Sequence, residues 1–193
     1  MAGRIADLPV LEPADRAEWR SWLHGNHAAS PGVWLAVGKK NGTATALRYE
    51  DAVQEALCFG WIDSVARRLD EDRFLQLMTP RKPGSGWAPS NKERVQRLGS
   101  AGLLAPAGLA AIQRAKSDGS WTLLDDVEAL VVPDDLAAAL AAHPSGDRAF
   151  AALPVSLRKQ ELYAISTAKR AETRARRISA TVARAVERFD ATP

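Results

Sequence analysis

The sequence predicts an α+β fold, with a small antiparallel sheet and helices in an N-terminal lobe and an all-helical C-terminal lobe. Residues 32–38 are apolar on both alternating sides, which is typical of a strand at the centre of a sheet. Two alternating arms flank an acidic turn at residues 70–72, which indicates a hairpin. Beyond residue 90, prolines at helix-starting positions and a long two-faced segment predict helices only.

The N-terminal lobe is expected to begin with a helix over residues 13–26. Trp19, Trp22 and Leu23 share one face of it at helical spacing. The central strand at residues 32–39 follows and ends at a turn marked by Asn41 and Gly42. A second helix is predicted near residues 49–59.

A hairpin and a loop come next. Its arms are residues 61–69 and 73–79, and the loop at residues 80–89 is rich in proline and glycine. Ser90 followed by Glu93 matches a capping box, in which each side chain bonds the other residue's backbone N–H. This pattern predicts a helix that begins at Asn91 and ends near Gly99.

The C-terminal half reads as successive helices opened by Pro106, Pro133 and Pro154. The last, over about residues 168–189, has an apolar sector of Ala171, Ala175, Ile178, Val182, Ala185 and Phe189. We therefore expect an α+β lobe with a tryptophan-rich loop at residues 1–122 and a helical lobe at residues 123–193. The two are expected either to stand apart or to share one core.

Composition excludes several classes of protein. The N-terminus lacks the apolar core of a signal peptide and no apolar run is long enough to cross a bilayer, so a cytoplasmic location is expected. The single cysteine, Cys58, lies in an apolar run and is predicted to be a small buried side chain. The net charge is +3, and residues 169–190 hold seven basic and three acidic residues, 7 − 3 = +4, which leaves −1 elsewhere.

Three stretches resemble a known family: residues 49–64 (YEDAVQEALCFGWIDS), 79–92 (TPRKPGSGWAPSNK) and 168–178 (AKRAETRARRI). They are similar to blocks of the YdeI/OmpD-associated (OmdA-like, bacteriocin-protection) family, and with lesser matches the resemblance spans Trp19 to Phe189. The resemblance implies a role in bacteriocin protection and envelope stress, meaning tolerance of antimicrobial peptides. It implies no catalytic residues.

The hairpin suggests a binding site, because its two open ends should bring the Asp63 region close to the loop that follows residue 80. Charged donors and indole walls could there hold a small ligand or an anion. The candidate residues are Trp61, Asp63, Ser64, Arg81, Lys82, Trp87, Asn91 and Lys40. The structural alternative is a buried Asp63–Arg81 ion pair with two core tryptophans, and a solvated strand end for Lys40.

A stripe of arginines on the last helix suggests an alternative, nucleic-acid or anionic-lipid binding. The stripe consists of Arg170, Arg174, Arg177, Arg184 and Arg188. Internal pairing is the competing interpretation, with partners among Asp125, Asp126, Glu128, Asp134 and Asp135. No aromatic-basic strand motif or zinc-finger spacing accompanies the stripe.

No catalytic or metal-binding constellation stands out. His24 and His27 lie three residues apart without a further ligand at a useful spacing, and no phosphate-binding or nucleophile-elbow motif occurs. Ser156 and Lys159 match a nucleophile pattern without its companion motifs. The leading hypothesis is therefore a non-enzymatic protein without a cofactor that binds a small or peptidic antimicrobial, and nucleic-acid binding or regulation is the alternative. An uncommon hydrolase or transferase that uses Asp63 is a third possibility, for which no base–nucleophile partner is evident.

Overall fold

A computed structural model describes residues 5–191, which divide into two compact units after Trp121. The first unit contains a four-stranded sheet and four longer helices, and the second contains helices only among its described residues. The predicted α+β class is confirmed.

The sheet has strand order β1-β2-β4-β3, where β1 is Val10–Leu11, β2 is Val33–Gly38, β3 is Trp61–Arg68 and β4 is Arg73–Pro80. All six residues of β2 are buried, which confirms its predicted central position. The β2–β4 and β3–β4 pairs are antiparallel as predicted, but β1 pairs with β2 in parallel. The sheet is therefore mixed, because a two-residue strand ahead of the first helix adds to its edge.

Four α-helices complete the first unit: α1 Arg16–Asn26, α2 Tyr49–Cys58, α3 Pro89–Ser100 and α4 Pro106–Ser117. Asp15 caps α1 by accepting a hydrogen bond from the Glu18 backbone N–H. The predicted capping box at Ser90 is wrong. Ala88 occupies the N-cap without a side-chain bond and Pro89 the first turn, where proline's fixed φ suits a helix and its missing N–H costs nothing.

The core of the first unit lies between one face of the sheet and the helices. It includes Trp19 and Leu23 of α1, Leu57 of α2 and Leu35 of the central strand, all at most 1% exposed. The opposite face of the sheet carries a smaller cluster of Trp34, Ala36, Leu75 and Leu77. The Arg67 guanidinium lies 3.9 Å from the Trp34 ring centroid and covers part of this second face.

The second unit contains α5 Asp125–Glu128, α6 Asp134–Ala141, α7 Gly146–Ala152, α8 Val155–Ser166 and α9 Ala171–Asp190. Sequence patterning predicted α6, α8 and α9 but not the two short helices. The buried face of α9 consists of Ile178, Thr181 and Ala185, whereas Ala171 and Ala175 are exposed. The predicted apolar sector is therefore correct only from Ile178 onward.

A buried carboxylate joins α1 to α2. The side chain of Glu55 is 3% exposed and accepts hydrogen bonds at 2.6 Å from both Arg16 Nε and Arg20 Nη1. Arg16 also bonds Asp51 at 2.9 Å. Because a desolvated charge is stable only when fully paired, the two guanidiniums are needed to keep Glu55 inside.

We expect Glu55→Ala to lower the free energy of unfolding by about 3 kcal/mol, since it removes two charge-assisted hydrogen bonds to a carboxylate that is 3% exposed. Asp51→Ala, which removes the other partner of Arg16, should cost at most about 1 kcal/mol because that pair is partly solvated. All six tryptophans lie between Trp19 and Trp121, so urea denaturation followed by tryptophan fluorescence reports this unit specifically. Equal losses for the two variants would contradict the account.

Candidate functional site

Trp61 does not face the loop at residues 82–88. Its side chain is 1% exposed and packs edge-on against Trp22, with 5.8 Å between ring centroids, and against Trp19 at 6.5 Å. Its Nε1 donates to the His27 carbonyl at 3.1 Å. The expectation that Trp61 lines the same hollow as Trp87 is thus corrected, because Trp61 is the first residue of β3 and its pleat directs the side chain into the core.

Arg81 and Trp87 form the centre of the site, which we call the Arg81–Trp87 site. The Arg81 Cζ atom lies 3.9 Å from the Trp87 ring centroid, and Nη1 donates to the Gly86 carbonyl at 2.9 Å. The two residues are 7% and 1% exposed. Burial lowers the pKa of Arg81 to about 10, and the nearby Asp63 carboxylate acts in the opposite direction.

Both central residues carry a hydrogen-bond donor without an acceptor. Among the described residues, three buried side-chain nitrogens have no partner: Arg81 Nε, Trp87 Nε1 and Arg158 Nε. The first two lie in the same stack. A buried, unpaired donor costs about 1–3 kcal/mol, so two together in a folded protein require an explanation.

The stack borders a narrow slot under the loop at residues 82–86. Its lining includes Lys82, Arg114 and Asp118, and its floor includes Ala111 and Ala115 of α4. The slot leaves no room for a water molecule in this conformation. A group that reached the two donors would therefore require the loop to move outward.

The tip of the loop bonds the carboxylate of Asp118. Gly84, with a φ of +75°, donates its N–H to Asp118 Oδ2 at 3.1 Å, and the Ser120 N–H donates to Oδ1 at 2.9 Å. The hydrogen bonds from Ser120, together with the bond from Gly84, lower the pKa of Asp118. Gly60, which has a φ of +74°, holds the start of the loop. Its carbonyl accepts a hydrogen bond from the Arg81 backbone N–H at 2.9 Å.

Asp63 is close to Arg81 but bonds a different residue. Its Oδ2 accepts a 2.6 Å hydrogen bond from the Tyr49 hydroxyl. Among the described residues it makes no ion pair with Arg81, so the expected Asp63–Arg81 pair is corrected. Burial and this bond raise the pKa of Tyr49 to about 12.

Arg94 extends the polar network to α3. It holds Glu50 through bonds of 3.0 Å and 2.7 Å, and it donates to Asn91 Oδ1 at 3.0 Å. The bonds from Arg94 to Glu50 lower the pKa of Glu50 to about 2. Sequence reasoning identified Asn91 but missed Tyr49, Glu50 and Arg94. One sequence feature could have indicated the Tyr49–Asp63 contact: the two residues lie near opposite ends of the same stretch, residues 49–64.

The remaining predicted binding residues lie at the surface. Lys82 and Ser64 are exposed, and Lys82 borders the slot. Lys40 is also exposed but lies at the opposite end of the sheet, because β2 ends where Gly38 pairs with Arg73 at the far end of β4. The length of β4, roughly 23 Å at about 3.3 Å per residue, separates the two ends. Lys40 therefore does not contribute to the site, which corrects that expectation.

The arginine stripe of α9 makes contacts inside the second unit. Arg174 forms a two-bond pair with Asp135 at 2.6 Å and 2.8 Å, and Arg184 pairs with Glu161. Arg177 donates to the Ala164 carbonyl. Arg170 and Arg188 are exposed. Internal pairing is thus seen for Arg174, Arg177 and Arg184, and Asp135, one of the expected acids, bonds Arg174.

The other candidate residues are structural. Cys58 is buried as predicted, and burial raises the pKa of its thiol. His27 Nδ1 lies 2.9 Å from the Leu23 carbonyl, and its ring packs on Phe59 at 5.2 Å. Within residues 5–191 no three His, Cys, Asp or Glu side chains are grouped as a metal site would require. No helix in that range has both the length and the apolar composition to span a bilayer.

The fold and site define a two-unit α+β protein with a buried guanidinium–indole stack in its first unit. Residues 11–111, which are 101 of 193, match the family described as "Domain of unknown function (DUF8412)", and the chain belongs to that family. Residues 129–188 match "Bacteriocin-protection, YdeI or OmpD-Associated". The resemblance seen in the sequence is confirmed over this second region, which contains the stretch at residues 168–178. No curated protein and no solved structure matches the chain.

We expect Asp63→Asn to lower the pKa of Tyr49, since it removes the carboxylate that accepts the hydroxyl proton. Tyr163→Phe leaves Tyr49 as the only tyrosine, so absorbance titration of tyrosinate reads this group alone. A raised folded pKa means that stabilisation from Tyr49 is fully present below pH 10 and lost as pH rises towards about 12. Ser64→Ala serves as the exposed neighbouring control. An unchanged pKa in Asp63→Asn would show that the bond is absent.

Paired substitutions test whether the Trp87 donor is unsatisfied. Trp87→Phe and Trp61→Phe remove the same volume from positions that are each 1% exposed. Only Trp61→Phe breaks a hydrogen bond and leaves the His27 carbonyl unpaired. Trp61→Phe should therefore cost about 1 kcal/mol more in urea denaturation. A larger loss for Trp87→Phe would indicate that its N–H is already paired.

Proposed function

We propose that the protein binds a small or peptidic antimicrobial compound at the Arg81–Trp87 site and confers tolerance without chemically altering it. The observation that carries this proposal is the pair of buried donors, Arg81 Nε and Trp87 Nε1, without an acceptor. The match of residues 129–188 to the bacteriocin-protection family supports the biological setting. We propose the cytoplasm as the place of this activity.

The donors determine which ligand groups fit. An indole N–H and a guanidinium N–H both donate, so the complementary group is an acceptor such as a carboxylate or an amide carbonyl. Burial strengthens bonds to such a group because water does not compete. Asp63 lies within electrostatic reach of Arg81 and would favour a ligand that carries a cationic group as well.

Access to the donors depends on the loop at residues 82–86. Gly84 and Gly86 make its backbone permissive, and the bond from Gly84 N–H to Asp118 holds it closed. An exposed contact of this kind is weak enough to break when a ligand supplies new bonds. Outward movement of the loop would open the slot that Lys82, Arg114 and Asp118 line.

The titratable groups near the stack favour binding over catalysis. Tyr49 has a pKa near 12, far from neutrality, so it is a poor general base. Asp63 is engaged by the Tyr49 hydroxyl. The Arg81 side chain, even with its lowered pKa of about 10, keeps its charge at neutral pH.

The proposal predicts protection in cells and direct binding in solution. Expression of the full chain in a sensitive bacterium should raise the inhibitory concentration of nisin or bacitracin, and calorimetry should detect binding of the protective compound. Trp87→Phe should weaken both effects about tenfold, because one hydrogen bond to a charged acceptor is worth about 1.5 kcal/mol. Trp61→Phe is the matched control and should leave affinity unchanged.

A second experiment tests whether the group that accepts the two hydrogen bonds is a carboxylate. A linear cationic peptide is titrated as its free acid and as its C-terminal amide, and the free acid should bind more tightly to the wild type. Trp87→Phe should reduce that difference. The proposal is wrong if neither antimicrobial nor peptide binds the folded wild type, or if Trp61→Phe and Trp87→Phe weaken binding equally.

A further inference from the structure

The second unit contains a cavity of about 380 Å³ that is open to solvent on one side. All of its lining residues belong to this unit. The walls combine apolar side chains with two hydroxyls, one carboxylate and one guanidinium: Leu123, Val127, Val131, Pro133, Leu162, Thr122, Ser166, Asp126 and Arg174. A volume of this size, lined by both apolar and polar side chains, falls within the range of small-molecule sites.

The apolar wall includes side chains that water reaches. Val131 is 49% exposed although it borders the cavity, and Leu130 before it has a φ of +56°. A branched apolar residue beside an open cavity gains free energy when a ligand covers it, at about 25 cal/mol per Å². Val127 and Leu162, at 5% and 2% exposed, form the deeper part of the wall.

The two charged side chains that line the cavity, Arg174 and Asp126, differ in whether they are free to pair with a ligand. Arg174 is held by Asp135 through two bonds and donates from Nη1 to the Ile165 carbonyl at 3.1 Å, so its charge is largely compensated. Among residues 5–191, the exposed Asp126 carboxylate has no ion-pair partner. The net charge presented to a ligand is therefore negative.

The surrounding segment adds to this negative field. Residues 123–136 contain five acids and no lysine or arginine. Glu128 pairs with Lys159 at 2.5 Å, and Asp135 pairs with Arg174. The excess of acids over bases in this segment favours a cation at the mouth of the cavity.

We propose that this cavity is a second binding site, specific for a small amphiphilic cation. The apolar body would lie against Val127, Val131 and Leu162, and the ammonium group would pair with Asp126. Ser166 would offer a hydroxyl to a polar substituent. This inference does not depend on the Arg81–Trp87 site, because no residue is shared between the two.

The test uses three probes with one body and different head groups: 4-phenylbutylamine, 4-phenylbutanol and 4-phenylbutyrate. Each is titrated into the full chain and followed by NMR of the Val127, Val131 and Leu162 methyl groups. The amine should bind about fivefold more tightly than the alcohol, as a partly solvated ion pair allows, and the carboxylate most weakly.

Two variants and one control locate the site. Asp126→Asn should remove the preference for the amine over the alcohol. Ser166→Phe should block the cavity and abolish the ligand-induced methyl shifts, while the methyl spectrum keeps the dispersion of a folded protein. Asp134→Asn, which removes an exposed acid of the same segment outside the cavity, should lower the preference for the amine much less than Asp126→Asn does. Equal affinity for the three probes, tighter binding of the carboxylate, persistence of binding in Ser166→Phe, or equal effects of the two Asp→Asn changes would overturn the proposal.

Discussion

The Arg81 guanidinium lies inside the first unit, stacked on an indole and without a direct carboxylate partner, and the loop that follows β4 depends on that contact. Arg81 stacks on Trp87 and bonds the Gly86 carbonyl. These two contacts hold the loop that connects the sheet to α3. Burial lowers the pKa of Arg81 to about 10, so the fold sustains a desolvation cost at this position. The ligand proposed above would offset part of this cost by supplying an acceptor to Arg81 Nε.

Local sequence patterns predicted most of the fold because the helical and strand periodicities of the sequence are regular. The two-sided apolar run predicted the buried strand β2, and the prolines at the N-termini of α4, α6 and α8 predicted where these helices begin. Patterning failed where tertiary contacts decide. The register shift between Asp63 and Ala66 in β3, the short helices α5 and α7, and the parallel β1 pair depend on neighbours distant in the chain.

The candidate site was predictable to the extent that hairpin geometry determines it. The open end of a hairpin brings Asp63 near Arg81, and the electrostatic effect of Asp63 on Arg81 follows from that proximity. Sequence could not indicate which face Trp61 occupies, since one pleat position reverses the side-chain direction. It also could not show that Tyr49, rather than Arg81, bonds the carboxylate, because two acceptable partners differ only in three-dimensional placement.

Assigned indole N–H resonances of the full chain test the central claim most directly. Trp19, Trp34 and Trp61 donate to the carbonyls of Ala52, Ile5 and His27 at 3.0–3.1 Å, so their indole protons should resonate downfield. The Trp87 indole proton should exchange slowly with solvent because it is buried, yet resonate upfield of those three because it lacks an acceptor. A downfield, hydrogen-bonded position for Trp87 in the ligand-free protein would contradict the account.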